Sequence, residues 1–144
     1  MENNPTWMPV VAAAIGPKNG RWLMHRRPVE KQHGGLWEFP GGKVESDEAP
    51  EIAVIREIKE ELNLRLEAVA LTPAGFAQAD RDNGQKQIVI LLYKTDQWEG
   101  VPQALEGGEI AWFAPEEIAK LDKPPLDIAL AKQLFAKSAS ETGR

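Results

Sequence analysis

The chain has 144 residues, 42% of them hydrophobic, which is enough for one domain with a real core and too few for two. Its 22 Asp and Glu outnumber 17 Lys and Arg, and the net charge of -5 argues against broad adhesion to polymeric nucleic acid or to an anionic membrane. With no cysteine, disulfides, thiolate zinc sites and cysteine nucleophiles are excluded, so any chemistry falls to carboxylates, basic side chains, hydroxyls or an oxygen-ligated metal.

No apolar run approaches the ~20 residues of a membrane span, and residues 1–10 lack the basic-then-apolar order of a secretory signal, so a cytoplasmic protein is expected. Residues 8–15 and 21–26 read as two strands joined by the turn Gly16-Pro17-Lys18-Asn19-Gly20. Residues 28–35 form a loop leading to a tighter one, Leu36-Trp37-Glu38-Phe39-Pro40-Gly41-Gly42, where glycine and proline argue against regular structure. From Pro50 the pattern turns helical, with Ile52, Ile55, Ile58 and Leu62 at three- and four-residue intervals and an end near Asn63. Residues 64–71 and 87–93 read as strands separated by a turn at 80–84, the run Ile88-Val89-Ile90-Leu91-Leu92 being a buried central strand. A short strand at 109–113, a short helix at 115–121 and a closing amphipathic helix at 127–137 follow, with a small, polar tail from Ser138. Strands mixed with helices in one domain predict an α/β sandwich.

The helix at 50–63 carries Glu57, Glu60 and Glu61 at i, i+3 and i+4, within one arc of roughly 100° and facing away from the isoleucines. Three like charges on one face repel each other, and a bound cation resolves that repulsion. Carboxylate oxygens without thiol or paired imidazole select magnesium, with manganese as a close substitute, over zinc. Taken alone, such a triplet reads more readily as a solvated acidic face than as a metal site.

The surroundings are more specific. Gly42, Glu48, Arg56-Glu57-Ile58, Glu60-Glu61 and Asn63-Leu64 stand at the spacing of G-x5-E-x7-R-E-U-x-E-E-x-G-U, where U is a bulky aliphatic. This segment, 42–64, resembles the Nudix box, and Leu36-Trp37-Glu38-Phe39-Pro40-Gly41-Gly42-Lys43 resembles the approach loop of its MutT-like members. The one departure, Asn63 for glycine, falls where the helix ends in a left-handed conformation that asparagine tolerates.

The resemblance implies a Nudix-type α/β/α sandwich with a central mixed β-sheet over residues 6–138, leaving 1–5 and 139–144 as flexible tails. It implies that Glu57, Glu60 and Glu61, with the Gly41 carbonyl, ligate Mg2+ (Mn2+ substituting), that Arg56 orients Glu57, and that Glu48 braces the loop-helix unit. Glu109 is expected to reach the metal cluster from a glycine-rich loop and to rival Glu57 as general base. Arg27, otherwise a surface charge, stands at a position resembling a phosphate-contacting arginine, and Asp127 stands where a base is read, a role that does not exclude its being the N-cap of the last helix. Phe76 and Trp112 are stacking candidates that would otherwise fill the core. His25 and His33 stay outside the site, His25 as strand surface or satisfied core. The implied reaction is hydrolysis of a nucleoside triphosphate, canonical or oxidised, such as 8-oxo-dGTP or a pyrimidine triphosphate, to monophosphate and pyrophosphate. The partner is a small nucleotide, and the protein a monomer or homodimer. Cleavage of a dinucleotide or nucleotide sugar, or a non-catalytic nucleotide-binding module, are the alternatives.

Overall fold

The first strand sets the architecture. β1 (Trp7–Lys18) carries consecutive buried residues from Val11 to Gly16, the mark of a strand covered on both faces. Val11, Ala13 and Ile15 point into one cluster with Ala53, Val54, Ile58 and Leu62, while Ala12 and Ala14 point into another with Ile118 and Leu130. The computed structural model describes the backbone of residues 7–80 and 87–142, and the side chains of these up to 136.

The strands are β1, β2 (Arg21–Arg26), β3 (Trp37–Glu38), β4 (Gly41–Lys43), β5 (Thr72–Gln78), β6 (Gln87–Thr95) and β7 (Glu109–Phe113). β1 pairs in parallel with β6, and every other pairing is antiparallel, so the seven-stranded sheet is mixed as expected. Helix α1 (Pro50–Leu62) covers one face; α2 (Pro115–Ile118) and α3 (Pro125–Thr142) cover the other.

A fork in the sheet positions the site. β1 meets β2 only near its own end, at Ile15 and Lys18, and pairs further back with β4 at Val10–Ala12, while the far end of β2, His25 and Arg26, pairs with β3. Residues 37–43 fill the gap where β1 and β2 diverge, and Ala13 N–H donates to Pro40 O at 2.8 Å. Regular structure therefore extends into a segment whose glycines argued against it. Gly41 is required there because a Cβ would run into the Val11 backbone.

Other expectations shift: β1 runs on to Lys18 through most of the turn expected at 16–20, and the helix expected at 115–121 ends at Ile118. The strand expected at 64–71 lies later, at Thr72–Gln78, and residues 68–70 form a 3-10 turn instead. Of the turn expected at 80–84, residues 81–84 lie outside the described residues. The last helix begins at Pro125, whose missing N–H is not needed in a first turn, and runs to Thr142, past the expected start of the tail. On α1, Ile52 is half exposed, and the buried stripe is Ala53, Val54, Ile58, Glu61 and Leu62. The Val54–Ile58–Glu61 spacing puts one glutamate on the core side rather than opposite the isoleucines.

Asn63 closes α1 as expected, at φ 59° and ψ 33° with its N–H on Lys59 O. Carbonyls left over at this helix end are taken by the 99–109 loop: Gln103 N–H donates to Leu62 O and Leu105 N–H to Glu61 O, both at 3.0 Å. The loop is thereby tied to the glutamate end of the helix.

Candidate active site

Arg56 is the hub of the box. Its Nε and Nη2 grip both oxygens of Glu48 at 2.8 and 2.9 Å, and Nη1 reaches Glu57 Oε2 at 3.1 Å and Glu60 Oε1 at 3.3 Å. Nη2 also donates to Lys43 O at 3.0 Å, fastening β4 to the helix. This bidentate grip holds the Glu48 carboxyl down at about 2, and Glu48 in turn accepts from Glu45 N–H at 2.9 Å. Glu48 thus joins loop to helix, and Glu57 lies against Gly42, where a Cβ would occupy the space of its carboxylate.

Glu61 differs from the other two. It is 8% exposed, its Oε1 has no hydrogen-bond partner, and burial pushes its carboxyl up to about 8 against the pull of His25. Burial likewise pushes Glu57 upward despite Arg56. The charges of Glu38, Glu57 and Glu106 all bear on Glu61, and those of Glu60 and Glu106 on Glu57. Among the described residues no three His, Asp or Glu already converge as a ready cation cage, and Arg56 Nη1 supplies the positive charge between Glu57 and Glu60. An orphaned buried carboxylate oxygen in a carboxylate-rich donor set, with Gly42 making room for the Glu57 carboxylate, fits a hard divalent cation.

A second polar group gathers at and beyond the end of β2. Arg27 Nη1 lies 3.3 and 3.2 Å from the two oxygens of Glu38, and its Nε donates to Gln32 O at 2.8 Å. Arg26, Arg27, Pro28, Val29, Gly108 and Glu109 line a cleft of about 150 Å³. Glu109 is exposed and paired with Arg26 at 2.9 Å, while Glu106, three residues earlier in the same loop, is the acidic group whose charge reaches Glu57 and Glu61.

Asp127 is buried in the first turn of α3 as its third residue. It is not the N-cap, because the helix starts two residues earlier at Pro125. Its Oδ2 accepts from Phe39 N–H at 3.0 Å, and burial pushes its carboxyl up to about 7, with Glu38 adding to the effect. Phe76 lies on the outer strand β5, 55% exposed, its backbone N–H and C=O both held by the Gln133 amide. Trp112 stacks on Trp98 with ring centroids 5.6 Å apart and fills core. His25 is buried, with Nε2 3.0 Å from Gly107 O, and His33 sits in the loop at φ 60°.

Sequence reasoning missed Glu38 and Glu106. Glu38 lies inside the Leu36–Lys43 approach loop, and Glu106 differs from Glu109 only by its place in one glycine-rich turn.

The fold and this carboxylate cluster define a class: an α/β/α sandwich whose oxygen donors suit divalent cations. The chain belongs to the Nudix family, the NUDIX domain model matching residues 6–134. It is 34% identical to the CTP pyrophosphohydrolase of Escherichia coli K12 over 130 residues, covering 90% of this chain and 93% of that one. To the 8-oxo-dGTP diphosphatase of the same organism it is 29% identical over 128 residues, 87% and 96% of the two chains. The solution structure of the E. coli ORF135 protein superposes with a TM-score of 0.78 at 32% identity, covering 97% of this chain and 96% of that one. Nudix hydrolases generally use divalent metals and act on small nucleotides, and no helix among the described residues is long and apolar enough to cross a membrane.

Proposed function

We propose that this protein is a cytoplasmic, Mg2+-dependent pyrophosphohydrolase, with Mn2+ able to substitute, that converts a nucleoside triphosphate to its monophosphate and pyrophosphate. The observation that carries this reading is Glu61: a buried carboxylate with an unpartnered oxygen, next on the helix to Glu60 and within reach of the Glu57 charge. Glu57, Glu60 and Glu61, with the Gly41 carbonyl, would hold the cation, which would neutralise phosphate oxygens and acidify the attacking water.

The chain's own groups account for the rest. Arg56 holds Glu57 in place through Nη1. Glu57 accepts the proton of the attacking water, with Glu106 and Glu109 as its loop-borne rivals; the water oxygen bonds to phosphorus, one anhydride P–O bond breaks, and pyrophosphate departs. Arg27, braced on Glu38, offers its remaining donors to phosphate. Asp127, with one oxygen on Phe39 N–H, reads the base through the other, and Phe76 offers an exposed ring for stacking.

The relatives named for CTP and for 8-oxo-dGTP support the triphosphate reading over a dinucleotide or nucleotide sugar. The test is pyrophosphate release from a panel of the normal nucleoside triphosphates, 8-oxo-dGTP, 5-methyl-dCTP, dinucleotides and nucleotide sugars with Mg2+. Release strongest on one triphosphate is expected. Turnover of a dinucleotide or sugar alone moves the substrate class, and a silent panel favours a binding module.

A further inference from the structure

His25 does work that neither the Nudix box nor its approach loop accounts for. It lies on β2, away from α1 in sequence, and is 5% exposed. Its Nε2 meets Gly107 O at 3.0 Å, bridging 82 positions of sequence. Its Nδ1 lies 3.8 Å from Glu38 Oε2, too far for a hydrogen bond. Among the described residues, His25 Nδ1 and Glu61 Oε1 are the two buried side-chain atoms with no partner, and the charge of each residue acts on the other.

The loop that His25 grips carries Glu106. Gly107 and Gly108, at φ 92° and 82°, turn the chain back onto β2, and a Cβ on Gly108 would collide with Arg26 O and approach His25 Nε2 to 3.0 Å. On one side the loop is tied to α1 by Leu105 N–H on Glu61 O; on the other, the imidazole is its side-chain tie to β2 before the Arg26–Glu109 pair begins β7. Glu106 lies between these two ties, Leu105 on the Glu61 carbonyl and Gly107 on the His25 imidazole.

We propose that His25 is a positioning residue for the cation site, its Nε2–H holding the Gly107 carbonyl so that the Glu106 loop closes over Glu57 and Glu61. The inference rests on the proposed metal-dependent function and deepens it. Removing a hydrogen bond that orients a ligand-bearing segment weakens metal affinity by about tenfold or more. Glutamine sets its amide nitrogen where the imidazole has Nε2, so His25→Gln keeps the donor and His25→Leu removes it.

The experiment titrates Mn2+ into the full chain without nucleotide, following the electron paramagnetic resonance of free Mn2+, alongside thermal melting. His25→Leu is expected to bind Mn2+ about tenfold more weakly, and His25→Gln to return within about twofold of wild type. Should His25→Leu not fold, Gly108→Ala keeps the imidazole but forces the same loop off β2 by collision with Arg26 O, and is expected to lose a similar factor. Wild-type affinity in His25→Leu, or in Gly108→Ala where His25→Leu does not fold, overturns the proposal. So does an equal loss in the leucine and glutamine variants, which would make His25 packing alone. Absence of Mn2+ binding by the wild-type chain overturns the functional reading itself, a separate outcome.

Discussion

Replacing Asp127 by asparagine should change the pH dependence of stability in a calculable way. The folded chain raises this carboxyl from 3.8 to about 7, mainly through burial. Because the folded form holds the proton more tightly than the unfolded one, the stability of the neutral carboxyl is fully present below pH about 4 and is lost as pH rises towards about 7. Three pKa steps at 1.36 kcal/mol each amount to about 4 kcal/mol lost by pH 8, which for a chain of this size is roughly 10 °C in Tm. Asparagine keeps an acceptor for Phe39 N–H and cannot ionise, so Asp127→Asn escapes that loss. Urea unfolding of both proteins between pH 4 and 8, without nucleotide, should give coincident stabilities at pH 4 and a gap that opens steadily in favour of the variant. A gap that stays constant across the range would refute the claim that a buried, ionising Asp127 is its source.

The two glycines of β4 should fail differently. Gly41→Ala drives a methyl into the Val11 backbone and should cost the fold, seen as loss of the cooperative melt, whereas Gly42→Ala meets only the movable Glu57 carboxylate and should keep the melt while reducing turnover at least tenfold or so. Asn63→Gly should stabilise the chain by roughly 0.5 kcal/mol, since glycine enters the left-handed region without strain; a destabilised variant in urea unfolding would mean that the Lys59–Asn63 hydrogen bond outweighs it.

What was legible in the sequence follows from where local signals coincide with tertiary ones. β2 and β7 appear with their expected bounds because turn residues flank them on both sides. β5 lies later than the strand expected at 64–71, over a stretch with Pro73 and Gly75 that fits an outer strand with a bulge, where Gln133 satisfies the free backbone of Phe76. The glutamate triplet was legible from its spacing, but the burial of Glu61 was not, because the isoleucine pattern pointed to a stripe rotated away from it. The roles of Glu38, Glu106 and His25 depend on the fork between β1 and β2 and on a loop that returns from over 80 residues away, contacts that no local period encodes.

Pyrophosphate release from CTP and from 8-oxo-dGTP, by wild type and by Glu60→Gln, with Mg2+ and then with chelator, tests the central claim most directly. The account predicts release by wild type from at least one of them, its abolition by chelator, and a loss of about a hundredfold or more in a folded Glu60→Gln protein. Release that persists undiminished in the chelated enzyme, or a Glu60→Gln variant as active as wild type, would contradict it.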